Sequence, residues 1–264
     1  MRDEPILAPP SRVLLCLFER YLHWYIGRHF HAMRLANGGR FPRHGGPVIV
    51  YGNHASWWDP LAFIVISRYF LPTGAHYAPM DGLALKHYGF LGKLGMFPVE
   101  AGTRRGAAQF LKAANQIFST PDSVLWLTPE GRFSDVRTRP LVFRSGLAAL
   151  GARFGACTLV PLAAEYTFWD ERLPEILLCC GQPIEAGGDG QPHSSEEWNE
   201  RLAGALANTQ DELAGLAKLR DGTRFETVLS GRVGVSGVYE GWKRLLSAVT
   251  GRAYQGSHGS IHRS

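Results

Sequence analysis

The sequence VIVYGNHASWWDP, residues 48–60, joins a short apolar run to a turn and to the start of a helix. Its first four residues are consecutively apolar, which is typical of a strand buried on both faces. Asp59 followed by Pro60 has the order of a helix N-cap and a first helical residue, so we expect a helix from Pro60 to about Tyr69. His54 would then lie in the turn that follows a buried strand.

Strand-like and helix-like segments alternate on the carboxyl side of this stretch. The further strands are predicted at 77–80, 96–100, 123–127, 158–166 and 175–180, and the further helices at 82–93, 104–118, 144–154 and 195–219. Strands that alternate with helices predict a sheet with helices on both faces. We therefore expect an α/β fold with a mixed, largely parallel sheet flanked by helices and preceded by an N-terminal amphipathic helical segment.

The two ends of the chain are basic, whereas the middle is slightly acidic. Residues 1–44 and 231–264 each carry a net charge of +4, and residues 45–230 carry −3. Residues 12–36 predict a helix that either lies in a membrane interface or packs on the core, because Trp and Tyr stand among Arg and His. Residues 233–249 predict a second basic amphipathic segment, followed by a disordered tail.

These patterns divide the chain into three predicted parts. Residues 1–44 are expected to form a membrane-associating helical segment, 45–230 the α/β domain, and 231–264 the basic amphipathic segment with its tail. An acidic middle does not favour a nucleic-acid groove. The four cysteines show no CxxC spacing, so we expect no metal site and no disulfide framework. No window approaches about 18 uninterrupted apolar residues, so we expect no membrane-spanning helix.

His54 and Asp59 are the strongest candidates for chemistry. Imidazole accepts a proton near neutral pH, and a carboxylate on its other ring nitrogen fixes the required tautomer. No Gly-x-Ser-x-Gly sequence supplies a nucleophile, which favours direct attack by an acceptor hydroxyl with His54 as general base. The spacing alone is a weak signal, because Asp59 would also suit a simple helix cap and His54 an ordinary loop position.

Four ordered sequence blocks carry a resemblance to a known family. NHASWWD (53–59), GMFPVE (95–100), PEG (129–131) and LVPL (159–162) resemble, in order, the blocks of the glycerolipid acyltransferases, which include the lysophosphatidic acid acyltransferases. The resemblance implies transfer of an acyl group from acyl-CoA or acyl-carrier protein to a lipid-like alcohol, without a metal or redox cofactor. It also implies that His54 is the general base and that Asp59 orients it.

The resemblance further implies that the acceptor pocket includes the Glu130-Gly131 turn. The Glu130 carboxylate would hydrogen-bond acceptor hydroxyls or brace the site. Two positions depart from the family pattern, since Ala101 replaces an arginine of the second block and Arg132 replaces a threonine after the third. Arg132 would bind a phosphate or another anion, and two arginines just beyond Ala101 would substitute for the missing one. The predicted substrate-binding residues are Asn53, Glu130, Gly131, Arg132, Arg104 and Arg105.

The expected function is acyl transfer to a lysophospholipid-like acceptor by a peripheral membrane enzyme on the cytoplasmic face. The expected partners are membrane lipids and acyl-CoA or acyl-carrier protein, with no nucleic acid. The departures leave open a non-phosphate acceptor such as an amino- or glycolipid. A catalytically silent lipid-binding protein and a hydrolase that uses water as the acceptor also remain open.

Overall fold

The computed structural model describes residues 7, 9–42, 46–120, 122–155, 157–187 and 193–231. The predicted amphipathic segment 233–249 and the tail that follows it lie outside the described residues. Within the described ranges, no helix is both long and apolar enough to cross a membrane.

Six α-helices lie in the described part of the chain. They are α1 (Arg12–His29), α2 (Asp59–Phe70), α3 (Gly82–His87), α4 (Arg104–Phe118), α5 (Ser145–Arg153) and α6 (Ser195–Lys218). Three short 3-10 helices span Gly38–Arg40, Gly89–Leu94 and Gly222–Arg224. The longest helix, α6, begins with a capping box in which Ser194 and Glu197 satisfy each other's backbone N–H groups.

Nine strands form one sheet in the same residues. They are β1 (Ala32–Ala36), β2 (Val48–Gly52), β3 (Ala75–Asp81), β4 (Met96–Val99), β5 (Ser123–Leu127), β6 (Thr158–Thr167), β7 (Glu175–Cys180), β8 (Ile184–Glu185) and β9 (Glu226–Ser230). The strand order is β4-β3-β5-β2-β6-β7-β1-β9, and β8 pairs with β6 outside this path.

The strands from β4 to β6 in this order run parallel to one another. β7 is antiparallel to β6, β1 is parallel to β7, and β9 closes the far edge antiparallel to β1. Parallel neighbours bring their carboxyl ends to one edge of the sheet, where α/β proteins bind ligands. The segments that follow β2, β5 and β6 therefore meet at this carboxyl edge.

Helices cover both faces of the sheet. On one face, α1 and α2 pack on the side chains of Val50, Trp126 and Leu178. On the other face, α4, α5 and the first half of α6 pack on Ile49 and Leu125. The central strands are buried along their whole length, because helices remove water from both sides of them.

The expected fold class is confirmed: the sheet is mixed and largely parallel, helices flank it, and an N-terminal helix precedes it. The prediction of one helix over residues 12–36 is wrong beyond His29. Phe30 adopts an extended conformation, and its N–H bonds to Ile26 O at 2.8 Å to close the last turn. The following residues pair with β7 instead, and Arg34 there forms an ion pair with the buried Glu175.

Candidate active site

The turn between β2 and α2 brings His54 next to Asp59. β2 ends at Gly52, and α2 begins at Asp59 itself, with Trp58 at the N-cap position. The predicted N-cap role of Asp59 is therefore wrong by one residue. Its carboxylate instead bends back over the turn and accepts the N–H of Ser56 at 2.8 Å. This contact closes the turn and holds the carboxylate towards the imidazole.

The imidazole and the carboxylate form a close pair. Nδ1 of His54 lies 2.8 Å from Oδ2 of Asp59, and the Asp59 side chain is 0% exposed. Because an ionised carboxylate only accepts, Nδ1 carries the proton in this contact. The other nitrogen, Nε2, makes no hydrogen bond with any described residue, so it is left as the acceptor. This is the tautomer that a general base requires.

Tyr166, on β6, completes the surroundings of the carboxylate. Its hydroxyl donates to Oδ1 of Asp59 at 2.6 Å. Burial, and then the neighbouring Asp59, raise the pKa of Tyr166 well above its ordinary value, so the phenol keeps its proton. Both oxygens of the buried carboxylate are thus hydrogen-bonded.

The Pro-Glu-Gly turn after β5 lies directly against the His54 turn. The Glu130 carboxylate, which is 7% exposed, accepts the backbone N–H of His54 at 3.2 Å. In return, the His54 carbonyl accepts the N–H of Ser134 at 2.8 Å. The two turns are therefore joined by hydrogen bonds, and Glu130 braces the backbone of His54.

Asn53 links β2 to β6 at the same edge. Its amide nitrogen donates to Ala164 O at 2.9 Å, and its amide oxygen accepts from Ala164 N at 2.8 Å. This side chain is buried and continues the ladder of hydrogen bonds between the two strands one residue beyond the end of β2. Its observed contacts position the turn.

Gly131 and Arg132 lie at the surface beside this brace. Gly131 has a φ of 62°, and the side chain of Arg144 packs against its α-carbon and donates to its carbonyl at 3.1 Å. Arg132 is exposed. In the chain, Arg132 lies between Glu130, which contacts the His54 backbone, and Phe133, whose ring contacts the His54 ring.

Arg104 and Arg105 lie at the same edge of the sheet but farther away. They are exposed in the first turn of α4, which follows β4. Two strands, β3 and β5, separate β4 from β2. Three strand spacings of about 4.8 Å correspond to about 14 Å between the strand ends. The structure does not bring these two arginines into contact with His54.

One exposed aromatic ring packs against the imidazole, and a second lies on the same turn. The Phe133 ring centroid lies 4.3 Å from that of His54, although Phe133 itself is largely exposed. Trp57 is exposed on the turn and packs edge-on against Trp58. Among the described residues, no group of three His, Cys, Asp or Glu side chains is arranged to hold a metal ion.

Among the residues that contact the site, sequence reasoning missed Ser56, Phe133, Ser134, Arg144 and Tyr166. Ser56 lies within the NHASWWD motif. An aspartate often accepts a backbone N–H from a residue close to it in the chain, so the contact between Ser56 N–H and Asp59 could have been predicted from their spacing of three residues. Tyr166 ends a predicted strand and shares one face with Ala164. The alternation of side chains along a strand predicts that Tyr166 and Ala164 share a face, but it does not predict that β2 lies next to this strand.

Comparisons with known proteins identify the family of this chain. A family model described as "Acyltransferase" matches residues 34–165, which is half of the chain. The solved structure of the 1-acyl-sn-glycerophosphate (LPA) acyltransferase PlsC from Thermotoga maritima is similar, with a TM-score of 0.52 and 15% sequence identity. The similarity covers 78% of this chain and 79% of that one. A search of curated proteins gives no match. Since the family model spans both the His54–Asp59 turn and the Glu130-Gly131 turn, the chain belongs to the acyltransferase family.

Proposed function

We propose that this acyltransferase moves a fatty acyl group from acyl-CoA or acyl-carrier protein to a hydroxyl of a lysophospholipid-like acceptor, with His54 as general base. The observation that carries the proposal is the 2.8 Å contact between His54 Nδ1 and the buried Asp59, which leaves Nε2 unpaired among the described residues. The likeness to an LPA acyltransferase supports the choice of acceptor.

The proposed reaction needs one proton acceptor and a good leaving group. The acceptor hydroxyl gives its proton to Nε2 of His54 while its oxygen attacks the carbonyl carbon of the thioester. Asp59 stabilises the imidazolium that forms. When the tetrahedral intermediate collapses, the carbon–sulfur bond breaks, and the imidazolium returns the proton to the departing thiolate. The products are an ester and a free thiol, and no metal or redox step is required.

Arginine side chains near the site support a phosphate-bearing acceptor. Arg132 and Arg144 flank the turn that contacts His54, and a guanidinium binds phosphate oxygens in a fixed, two-pronged geometry. Arg104 and Arg105 remain candidates for a longer headgroup, because they lie farther along the same edge. Ala101 stands where the family pattern has an arginine, and this motivates the second candidate, a non-phosphate amino- or glycolipid acceptor.

A membrane surface is the proposed place of action, on the cytoplasmic face. α1 exposes Val13, Leu17, Tyr21 and Trp24 at steps of three and four residues. The exposed side chains of Arg12, Arg20 and Arg28 stand among them. Apolar and aromatic side chains that alternate with basic ones suit the headgroup region of an anionic leaflet.

A chain of aromatic rings connects this exposed helix to the turn that carries His54. Ring centroids lie 6.4 Å apart for Trp24 and Tyr25, 5.4 Å apart for Tyr25 and Trp58, and 5.6 Å apart for Trp58 and Trp57. The surface proposed to meet lipid therefore continues to the mouth of the site. A lipid acceptor would reach the imidazole without leaving the interface.

The experiment that tests this function supplies labelled acyl-CoA and acyl-carrier protein with phosphate-bearing, neutral, amino- and glycolipid acceptors. Mass spectrometry identifies the products. We expect an acylated lysophospholipid, and we expect Arg132→Ala to raise KM for that acceptor. Arg137→Ala is the matched control, because Arg137 is exposed in the same loop and pairs with Asp135.

Each alternative gives a different result in this assay. Acylation confined to acceptors without phosphate would favour an amino- or glycolipid acyltransferase. Release of free fatty acid with no lipid product would indicate a hydrolase. Neither thiol release nor acyl transfer from either donor would contradict catalysis and favour a silent lipid-binding protein.

A further inference from the structure

Tyr166 has a role in the site that its place in the sequence does not indicate. It lies near the carboxyl end of β6, where its backbone pairs with Ile176 of β7. Its side chain points to the face covered by α1 and α2, with its ring 5.9 Å from that of Phe30. The hydroxyl reaches across to Oδ1 of Asp59 at 2.6 Å.

The Asp59 carboxylate depends on its donors, because it is completely removed from water. Oδ2 accepts from both His54 and Ser56. Oδ1 accepts from Tyr166, and no other described residue donates to it. A buried carboxylate oxygen without a partner disfavours the charged form and favours uptake of a proton.

We propose that Tyr166 is a positioning residue for the His54–Asp59 pair: its hydroxyl holds the carboxylate in place and aimed at His54. The inference rests on the proposed function for its catalytic consequence, but the hydrogen-bond chain from Tyr166 through Asp59 to His54 is a property of the protein alone. Without the hydroxyl, Oδ1 of Asp59 has no donor among the described residues, so the binding of a proton to this oxygen becomes more favourable. The imidazole then loses the charge that orients it.

Other ionisable groups lie on the elements next to the pair and are unchanged when only this hydroxyl is removed. They come from α1, from the loop after β5 and from β6, and they are Tyr25, His29, Glu130, Arg132, Arg144 and Glu165. A change in proton binding that follows loss of one hydroxyl therefore reports the contact between Tyr166 and Asp59.

The test compares Tyr166→Phe with Tyr51→Phe. Tyr51 is a buried phenol on β2 that donates to Leu202 O at 3.2 Å, on the opposite face of the sheet. We expect Tyr166→Phe to lower kcat about tenfold with little change in KM, and to move the acidic limb of the pH–rate profile upward by about one unit. Tyr51→Phe should leave the profile unchanged. In an Asp59→Asn background, Tyr166→Phe should cause no further loss.

A second measurement needs no substrate and so separates this inference from the proposed function. The imidazole of His54 is titrated by NMR in both variants, and we expect its signals and apparent pKa to change only in Tyr166→Phe. Incorporation of 3-fluorotyrosine at position 166 keeps the shape and strengthens the donor, so the acidic limb should move downward. Identical titrations in wild type, Tyr166→Phe and the fluorinated protein would overturn the positioning role, even if acyl transfer is observed.

Discussion

Single residues of the site are held by hydrogen bonds from different parts of the chain. His54 is fixed through its ring by Asp59 and through its backbone by Glu130 and Ser134. Three separate contacts restrict one turn, so the imidazole has little freedom to rotate away from the edge of the sheet. This preorganisation is the physical basis of the proposed general-base role, because a base works only when its acceptor nitrogen meets the proton it removes.

The Glu130 side chain could act through its negative charge or through its hydrogen bond to the His54 N–H. We expect the hydrogen bond to matter more. Glu130→Gln keeps a carbonyl oxygen for the His54 N–H and should retain most of the activity. Glu130→Ala leaves that N–H without its partner and should lower the free energy of unfolding by about 1–3 kcal/mol, with a large loss of transfer rate. Thiol-release kinetics and urea unfolding of both variants check this. A folded Glu130→Gln protein as inactive as Glu130→Ala would show that the carboxylate charge acts on the substrate.

His76 makes stability depend on pH. It is buried between Leu71 O, to which Nε2 donates at 2.9 Å, and the indole N–H of Trp126, which Nδ1 accepts at 3.1 Å. Burial lowers the pKa of His76 to about 4. The unfolded chain therefore takes up a proton first as the pH falls below about 6.5, so the free energy of unfolding should drop by about 2 kcal/mol between pH 7 and pH 5.

Replacement of His76 by glutamine should reduce this loss, because an amide can donate and accept but does not titrate in this range. Urea denaturation at pH 7 and pH 5 measures it, with His87→Gln as the control because His87 is exposed on α3. The assignment to His76 fails if both variants lose as much stability on acidification as the wild type.

The residues of the site were predictable to different degrees. His54, Asp59 and Glu130 follow from ordered motifs, and the structure brings all three together. Tyr166 could not be found in the same way, because its contact with Asp59 requires β6 to lie beside β2. That neighbourhood is set by the packing of the whole sheet, and the alternation of strands and helices along the chain does not contain it.

At the scale of elements, α5 and α6 approach each other closely at one glycine. A Cβ added to Gly151 would lie 2.8 Å from the ring of Trp198, which is buried against α5. Gly151→Ala should therefore lower the free energy of unfolding by about 1–3 kcal/mol through overpacking.

The matched control is Gly204→Ala in α6, where no atom of the described residues lies within 4 Å of the added Cβ. Higher helix propensity should stabilise that variant by about 0.5–1 kcal/mol. Thermal or urea unfolding measures both variants. Equal changes in Gly151→Ala and Gly204→Ala would contradict the close approach of the two helices.

The elements inside the α/β body were largely predictable, whereas the strands at one side of the sheet were not. α4, β5 and β7 have the predicted bounds, because apolar runs and caps are local signals. β1 and β9 were missed. Both are short, and β1 continues a helical pattern although its residues pair with β7. Long-range pairing overrides local preference at such positions.

For the whole molecule, the exposed face of α1 should control attachment to lipid. Val13, Leu17 and Trp24 are 72%, 61% and 58% exposed, so replacing all three by serine should change the unfolding free energy little. We expect binding to vesicles that contain anionic lipid to weaken at least tenfold, because about 25 cal/mol is lost per Å² of apolar area that no longer enters the interface.

Co-sedimentation with anionic and neutral vesicles, at low and high salt, measures this binding. Tyr69→Ala is the control, because Tyr69 is partly exposed at the end of α2 that points away from the carboxyl edge. Undiminished binding of the triple variant would remove α1 from the proposed membrane surface.

In the proposed mechanism, one imidazole carries the proton from acceptor to leaving group. The most direct test of this step is the rate of acyl transfer by His54→Ala, with His87→Ala as a matched exposed histidine and circular dichroism as the check on folding. We predict a loss of at least about 10²-fold in kcat for His54→Ala, in line with the contribution of a general base, and wild-type rates for His87→Ala. A folded His54→Ala protein that transfers acyl groups at the wild-type rate would contradict the account.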